Sequence, residues 1–226
     1  MAERKPIVAI DGPVGAGKSS TAKEAARALG FVYVDTGAMY RAITVDVLGR
    51  GVDPNDEDAV KKVAELSEVE LVPGEDGTQR TMLNGVDVSG RIRDRDVTQA
   101  VSAVSAMRPV REKMTEMQRE IGHRGGIVME GRDIGTVVFP DAEFKIFIEA
   151  SIDVRAKRRH KELAENGVYV DIDDLKRQIG ERDKLNTERE IAPLRKADDA
   201  ISIDNSDMTF DEQVAKIISI VNGEQV

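Results

Sequence analysis

The sequence predicts an α/β fold, and three observations carry that prediction. Five short apolar runs, Ile7 to Ile10, Phe31 to Val34, Gly126 to Glu130, Phe144 to Glu149 and Ala200 to Asp204, read as buried strands. Helical segments separate them, and alternating strand and helix implies a five-stranded parallel sheet with helices on both faces, a three-layer sandwich. A Gly-rich loop follows the first run and opens the first helix.

Taken in order, Ile7 to Ile10 enters that loop, and Ser19 to Leu29 carries helical periodicity closed by Gly30. Phe31 to Val34 is the second strand. Between residues 67 and 93 the pattern changes. Glu68 to Val72, a Gly-Glu-Asp-Gly turn at 74 to 77, Thr81 to Leu83, Asn84-Gly85 and Val86 to Val88 read as antiparallel hairpins, an inserted β subdomain. Two helices follow, Asp94 to Met107 and Pro109 to Ile121, with Pro109 at a helix start where its missing N–H costs nothing. The last helix starts with Thr209 and Glu212 in capping-box spacing and ends at Gly223.

A chain of 226 residues, 40% hydrophobic, suffices for one core with appended lobes. It contains no Cys, so disulfides, Cys-ligated zinc and a thiol nucleophile are excluded, and a reducing compartment is expected. Met1 to Pro6 lacks the apolar stretch of a signal peptide and no 18-residue apolar run follows, which predicts a soluble cytoplasmic protein with no membrane partner. The net charge of −9, from 33 Lys plus Arg against 42 Asp plus Glu, argues against binding a nucleic-acid polymer. Arg is nevertheless dense at Arg91 to Arg95, Arg108 to Arg111 and Arg155 to Arg159, a pattern suited to small anions.

Gly12-Pro13-Val14-Gly15-Ala16-Gly17-Lys18-Ser19 is a full P-loop, set between a predicted strand and a predicted helix. Its small residues let backbone N–H groups curl around phosphate oxygens at a helix N-terminus. Lys18 reaches the β and γ phosphates, and Ser19 offers its hydroxyl to Mg²⁺. The bland alternative, a Gly-rich turn, fits neither the full motif nor its context.

A GTPase would need a guanine-reading Asn/Thr-Lys-x-Asp segment, which is absent from the sequence. Ile127 to Glu130 could supply the acidic strand end of an energy-coupling ATPase, but a kinase strand would look the same. Acceptor chemistry discriminates better. A phosphate monoester is already largely a dianion at neutral pH, so a kinase that phosphorylates one needs Arg clamps rather than a catalytic base. The two histidines, His123 and His160, lie in polar stretches and read as solvated surface. Taken alone, Arg41, Arg182 and Arg189 also read as solvated helix faces. Asp133 reads as an ion pair with Arg132 or a loop cap. Arg158, on a Lys/Arg-rich helix, reads equally as charged surface. Asp35 either orders Lys18 or the metal waters, or caps a turn.

The P-loop, Asp35-Thr-Gly-Ala-Met-Tyr-Arg41, Asp87-Val-Ser-Gly90, Pro109-Val-Arg111, Glu130-Gly-Arg-Asp-Ile-Gly-Thr-Val-Val-Phe-Pro140 and Ala192-Pro-Leu194 together resemble the bacterial cytidylate kinases, in order and over nearly the whole chain. The resemblance implies a single nucleoside monophosphate kinase domain with a P-loop core at about 1–36, 109–154 and 190–226. It further implies a monophosphate-binding lobe at about 37–108 with the β insertion at 67–93, and a short helical lid at about 155–189. It implies ATP as donor, Mg²⁺, CMP and dCMP as acceptors, and a monomer.

By position, the resemblance places Thr36, Ser102, Arg111 and Asp133 around the cytosine, Tyr40 among the substrate-binding residues, and Arg41, Arg132 and Arg189 on the acceptor phosphate. Arg182 falls near the sugar and the transferring group, and Arg158 against the ATP base or phosphates. Gly12 to Ser20, including Ser20, forms the donor site, and Lys18, Arg132, Arg182 and Arg189 are the catalytic set. Asn186 departs from the family, which usually has Asp there to bind the sugar hydroxyls. Asn keeps an acceptor, loses the charge and gains donors, which leaves ribose against deoxyribose preference open. A kinase of another small acceptor, or a nucleotide-binding regulatory protein signalling through the hairpin lobe, fits the P-loop alone.

Overall fold

The β-branched run Ile7–Asp11 becomes the central strand, β1, because a strand covered on both faces must be apolar throughout, and all five of its residues are buried. In this computed structural model residues 5–74, 78–165 and 167–224 are described, so residues 75–77 of the expected Gly-Glu-Asp-Gly turn lie outside them. After β1 come α1 (Lys18–Leu29), β2 (Val32–Asp35), α2 (Thr36–Gly49), α3 (Glu57–Leu66), β3 (Val69–Pro73), β4 (Gln79–Leu83) and β5 (Val86–Asp87). Then follow α4 (Arg95–Ala106), α5 (Arg108–Gly122), β6 (Ile127–Gly131), β7 (Phe144–Glu149), α6 (Ile152–Glu165), α7 (Ile172–Glu188), β8 (Ile201–Asp204) and α8 (Phe210–Asn222). The chain divides into two compact units, Met1–Tyr33 with Arg124–Val226, and Val34–His123.

The expected five-stranded parallel sheet is present, in the order β2-β6-β1-β7-β8. The edge strand β8 departs from the sequence reading: Ile201–Asp204, expected to be buried, exposes three of its four residues because a strand at the sheet edge has a neighbour on one side only. The register sets Asp11 level with Gly131 of β6 and Phe147 of β7. The loops that follow Asp11 and Gly131 therefore leave the sheet side by side at its carboxyl end, where open α/β sheets carry their ligands. Val8, Ile10, Val128, Ile146, Ile148 and Ile203 from the strands pack with Ala22, Ala25 and Ala26 of α1 and Ile217 of α8 to form the core of this unit. The expected caps also form. Gly30 closes α1 with φ 64°, and Thr209 and Glu212 make a reciprocal capping box on α8, which Gly223 ends with φ 72°.

The second unit is built around α2, which carries few polar residues and buries nine side chains, among them Met39, Ile43 and Val47. A helix apolar nearly all round has no polar face to reveal its period, which explains why the sequence reading placed Arg41 on a helix face but gave no bounds for the helix over residues 36–49. The antiparallel sheet β3-β4-β5 confirms the expected hairpins. Asn84 and Gly85 turn between β4 and β5 with φ 50° and 78°, the two positive values that an Asn-Gly hairpin turn requires. Asp46 of α2 accepts from Ser67 Oγ at 2.7 Å, Arg50 Nε at 2.8 Å and Asn84 Nδ2 at 3.3 Å, tying that turn and the end of α3 to α2. Among the described residues no helix is long and apolar enough to cross a membrane.

Candidate active site

Three glycines shape the loop between β1 and α1, with Gly12, Gly15 and Gly17 at φ 152°, 73° and 86°, values costly for any residue with a Cβ. At Gly12 the constraint is also steric, since a Cβ there would stand 2.0 Å from the Ile148 carbonyl oxygen of β7. Gly17 starts α1 without a side-chain cap, and no acidic residue stands in the first turn. The first N–H groups of a twelve-residue helix are therefore left uncapped by any side chain, which fits an anion. This cradle fits a nucleotide's phosphates, and Ser19, exposed in the first turn, fits the hydroxyl that Mg²⁺ requires.

Lys18 is buried and donates from Nζ to the Pro13 carbonyl oxygen at 2.6 Å, so its ammonium folds back over the loop. Burial, helped by the nearby Arg132 charge, pulls its pKa down to about 7, against the opposing pull of Glu130, Asp11 and Asp183. Asp11, the last residue of β1, was not among the residues the sequence singled out. Its two carboxylate oxygens accept from the Ile134 N–H at 2.9 Å and the Gly135 N–H at 2.7 Å. Burial raises its pKa to about 6 despite those bonds. The carboxylate thus holds the start of a π-helical turn, Ile134–Val138, that directly follows Arg132 and Asp133.

Arg132 and Asp133 sit where β6 ends. Arg132 donates from Nη1 to the Gly131 carbonyl at 3.0 Å, while its buried Nε finds no partner among the described residues. A buried guanidinium donor left unmet is unfavourable by about 1–3 kcal/mol, and an anionic ligand would satisfy it. Asp133 is buried and accepts from Arg189 Nη2 at 3.3 Å, with the two side chains 5% and 7% exposed. Arg189 also donates from Nε to the Ala192 carbonyl at 2.7 Å, so its buried side chain is fixed rather than on the solvated face read from the sequence alone. Arg182 and Asn186 lie half-buried on α7, one turn apart, and the Asn186 carbonyl accepts from Leu194 N at 2.8 Å.

Arg158 of α6 is likewise half-buried. It donates from Nη1 to Asn205 Oδ1 and from Nη2 to the Asn205 carbonyl oxygen, both at 2.9 Å. Burial lowers its pKa. Ser20 of α1 donates to the Gly17 carbonyl at 3.1 Å, a local helix-start bond.

The remaining sequence-predicted residues belong to the second unit. Thr36, Tyr40 and Arg41 are on α2, Ser102 on α4 and Arg111 on α5. The buried Arg111 guanidinium lies 5.2 Å from the Tyr40 ring centre and donates to the Ser105 carbonyl at 3.1 Å, which brings these two residues together. Arg41 is tied by Nη1 to the Ile92 carbonyl at 3.0 Å and Thr98 Oγ1 at 2.9 Å, not solvated as its sequence context alone suggests. Asp35 accepts from the Ala38 N–H at 3.0 Å and caps α2, one of the two roles its sequence left open. Both histidines are exposed, as expected. Arg91, in the first Arg-dense stretch, pairs with Asp94 and Asp96 on the surface. Among the described residues no group of three His, Cys, Asp or Glu side chains could hold a metal by itself.

Comparison with known proteins gives the family. The family model described as cytidylate kinase matches residues 8–223. The cytidylate kinase of Bacillus cereus is 48% identical over 221 residues, covering 98% of this chain and 98% of its own. That of Anoxybacillus flavithermus is 50% identical over 219 residues, covering 97% of each. A shikimate kinase structure from Bacteroides thetaiotaomicron aligns over 96% of this chain and 98% of its own at 13% identity and a TM-score of 0.49, a likeness too slight to carry any conclusion. A family model over nearly the whole chain and relatives about half identical over nearly their full length show that the chain belongs to the cytidylate kinase family, enzymes that phosphorylate a nucleoside monophosphate.

Proposed function

We propose that the enzyme transfers the γ-phosphoryl group of ATP directly onto the phosphate of CMP or dCMP, giving ADP and CDP or dCDP, as a cytoplasmic monomer. The observation that carries the choice of acceptor is the near-complete, roughly half-identical match to cytidylate kinases. The buried Asp133 beside Arg189 and Arg132 supports it, because cytosine presents an amino donor where uracil presents a carbonyl. A carboxylate accepts from the amine and would face the carbonyl of uracil across two lone pairs; losing a designed hydrogen bond of this kind costs about 10⁴ in selectivity.

In this reading Gly12, Pro13, Val14, Gly15, Ala16, Gly17, Lys18, Ser19 and Ser20 hold the donor, with Arg158 on its base or phosphates. When bound, Mg²⁺ would neutralise charge on the β and γ phosphates, and the Ser19 hydroxyl would be its protein ligand. Thr36, Ser102, Arg111 and Asp133 read the cytosine, Tyr40 lines the substrate site, and Arg182 and Asn186 hold the sugar. Arg41, Arg132 and Arg189 clamp the acceptor phosphate with forks that a Lys could not reproduce. The acceptor is already a dianion, so it attacks in line without a base, and Lys18, Arg132, Arg182 and Arg189 absorb the charge that develops in transit.

The test is ADP release by the purified chain with ATP and Mg²⁺ and CMP, dCMP, UMP, AMP or no acceptor. Strong stimulation by CMP and dCMP alone is expected. Comparable turnover of UMP would remove Asp133 from base reading, and ADP release without any acceptor would argue for hydrolysis instead. An unchanged CMP to dCMP ratio in Asn186→Asp would remove Asn186 from the sugar site.

A further inference from the structure

The phosphate loop is soft by composition, since Gly15 and Gly17 can rotate their peptides at little cost. Two of its carbonyl groups are nevertheless held from outside. Arg155 Nη1 donates to the Val14 carbonyl oxygen at 3.0 Å, and Asn205 Nδ2 donates to the Ala16 carbonyl oxygen at 2.7 Å. In a trans peptide the C=O and N–H point in opposite directions. A grip on the Val14 oxygen therefore turns the Gly15 N–H to the other side, and a grip on the Ala16 oxygen does the same for Gly17. We propose that Arg155 and Asn205 are positioning residues that aim the Gly15 and Gly17 N–H groups at the donor phosphates, an inference that rests on the loop's role as the donor site.

Both grips are themselves anchored. Arg155, on α6, donates from Nε to the Ala150 carbonyl at 3.0 Å and pairs through Nη1 with Asp183 Oδ2 at 2.5 Å. The other Asp183 oxygen accepts from the Val14 N–H at 3.3 Å, so one ion pair holds both polar groups of Val14's backbone. Asn205 is fully buried and its amide cannot flip. Nδ2 faces two acceptors, the Ala16 oxygen and Gln213 Oε1 at 2.9 Å, whereas Oδ1 faces the Arg158 guanidinium. Gln213 Oε1 also accepts from Thr21 Oγ1 at 3.1 Å, which extends the network into α1. Residues on α6, on α7 and after β8 thus set the loop's peptide planes.

The experiment compares the full-length chain with Asn205→Ala, Asn205→Asp and the double variant Arg155→Met/Asp183→Asn, which leaves no unpaired buried charge. Each is titrated calorimetrically with inorganic tripolyphosphate, a base-free probe of the loop, and assayed for the KM of ATP and of CMP. Loss of aimed amide donors is expected to weaken tripolyphosphate binding and raise the KM for ATP by about tenfold, with the KM for CMP within about twofold. Asn205→Asp keeps shape and the acceptor for Arg158 but sets an oxygen against the Ala16 oxygen, so it loses affinity as well. Wild-type tripolyphosphate affinity in any one folded variant would overturn the proposal. Failure of the unaltered chain to use CMP would instead sink the acceptor assignment, because tripolyphosphate binding reports on the loop alone.

Discussion

Gly12→Ala tests whether the loop's first glycine serves the sheet before it serves any ligand. An added Cβ would lie 2.0 Å from the Ile148 oxygen and 3.0 Å from its carbonyl carbon, both backbone atoms of β7 that cannot rotate aside. Restoring ordinary van der Waals contact at about 3.4 Å requires β7 and the loop to part by more than an ångström. That separation falls where Asp11 and Phe147 pair. Overpacking of this kind costs about 1–3 kcal/mol, and holding a non-Gly residue at φ 152° about 1–3 kcal/mol more. The sum, near 4 kcal/mol, is a large share of the roughly 5–15 kcal/mol that stabilises a typical domain. With a urea m-value of about 2.5 kcal/mol/M the midpoint should fall by about 1.5 M, in the absence of nucleotide. Gly17→Ala is the control, since its Cβ would meet nothing closer than 3.6 Å. It should lose about 1–2 kcal/mol from its φ of 86° alone. Equal midpoints for the two variants would refute the steric argument, and a Gly12→Ala protein with wild-type stability would refute the geometry altogether.

Two further predictions follow from groups near and far from the loop. Because burial and Arg132 hold Lys18 near pKa 7 in the folded chain against 10.5 unfolded, the folded state binds fewer protons between about pH 7 and 10.5, and stability from this group rises with pH across that window. Bound phosphate raises that pKa again, so calorimetry at pH 8 in buffers of different ionisation enthalpy should report uptake of about 0.9 proton on ATP binding, abolished in Lys18→Met; identical enthalpies in all buffers would sink the idea. In the hairpin unit, Asn84→Ala loses a positive-φ preference and the acceptor for the Glu68 N–H at 2.8 Å, and should cost about 2 kcal/mol by urea denaturation. Asn84→Gly, which keeps the backbone freedom, should cost about half as much, and equal losses would show that the turn conformation contributes nothing.

The features legible in the sequence are those whose cause is local. A P-loop, an Asn-Gly turn, a capping box and a terminal Gly each place their determinants within a few residues, and all four formed where the spacing predicted. The central strands β1 and β6 were legible because apolar runs buried on two faces leave no alternation to confuse, whereas β8 carries a similar run on an exposed edge. The bounds of helix α2 were not, because a helix buried on nearly every side shows no periodic polar face. The reversal of Arg41 and Arg189 from solvated faces to fixed donors has the same root, since isolated Arg residues give no local sign of what they meet.

Length and the pattern of apolar runs determined the α/β class, the parallel sheet and the phosphate loop, and the ordered motifs determined the family resemblance. Only the tertiary structure decided that β1 lies at the centre of the sheet, that Asp11 holds the turn after Asp133, and that Arg155 and Asn205 hold the phosphate loop. Those last bonds join residues 123, 141 and 189 positions apart. A hydrogen bond across such a separation depends on strand order and helix placement, and the residues that make it carry no local pattern by which to be found.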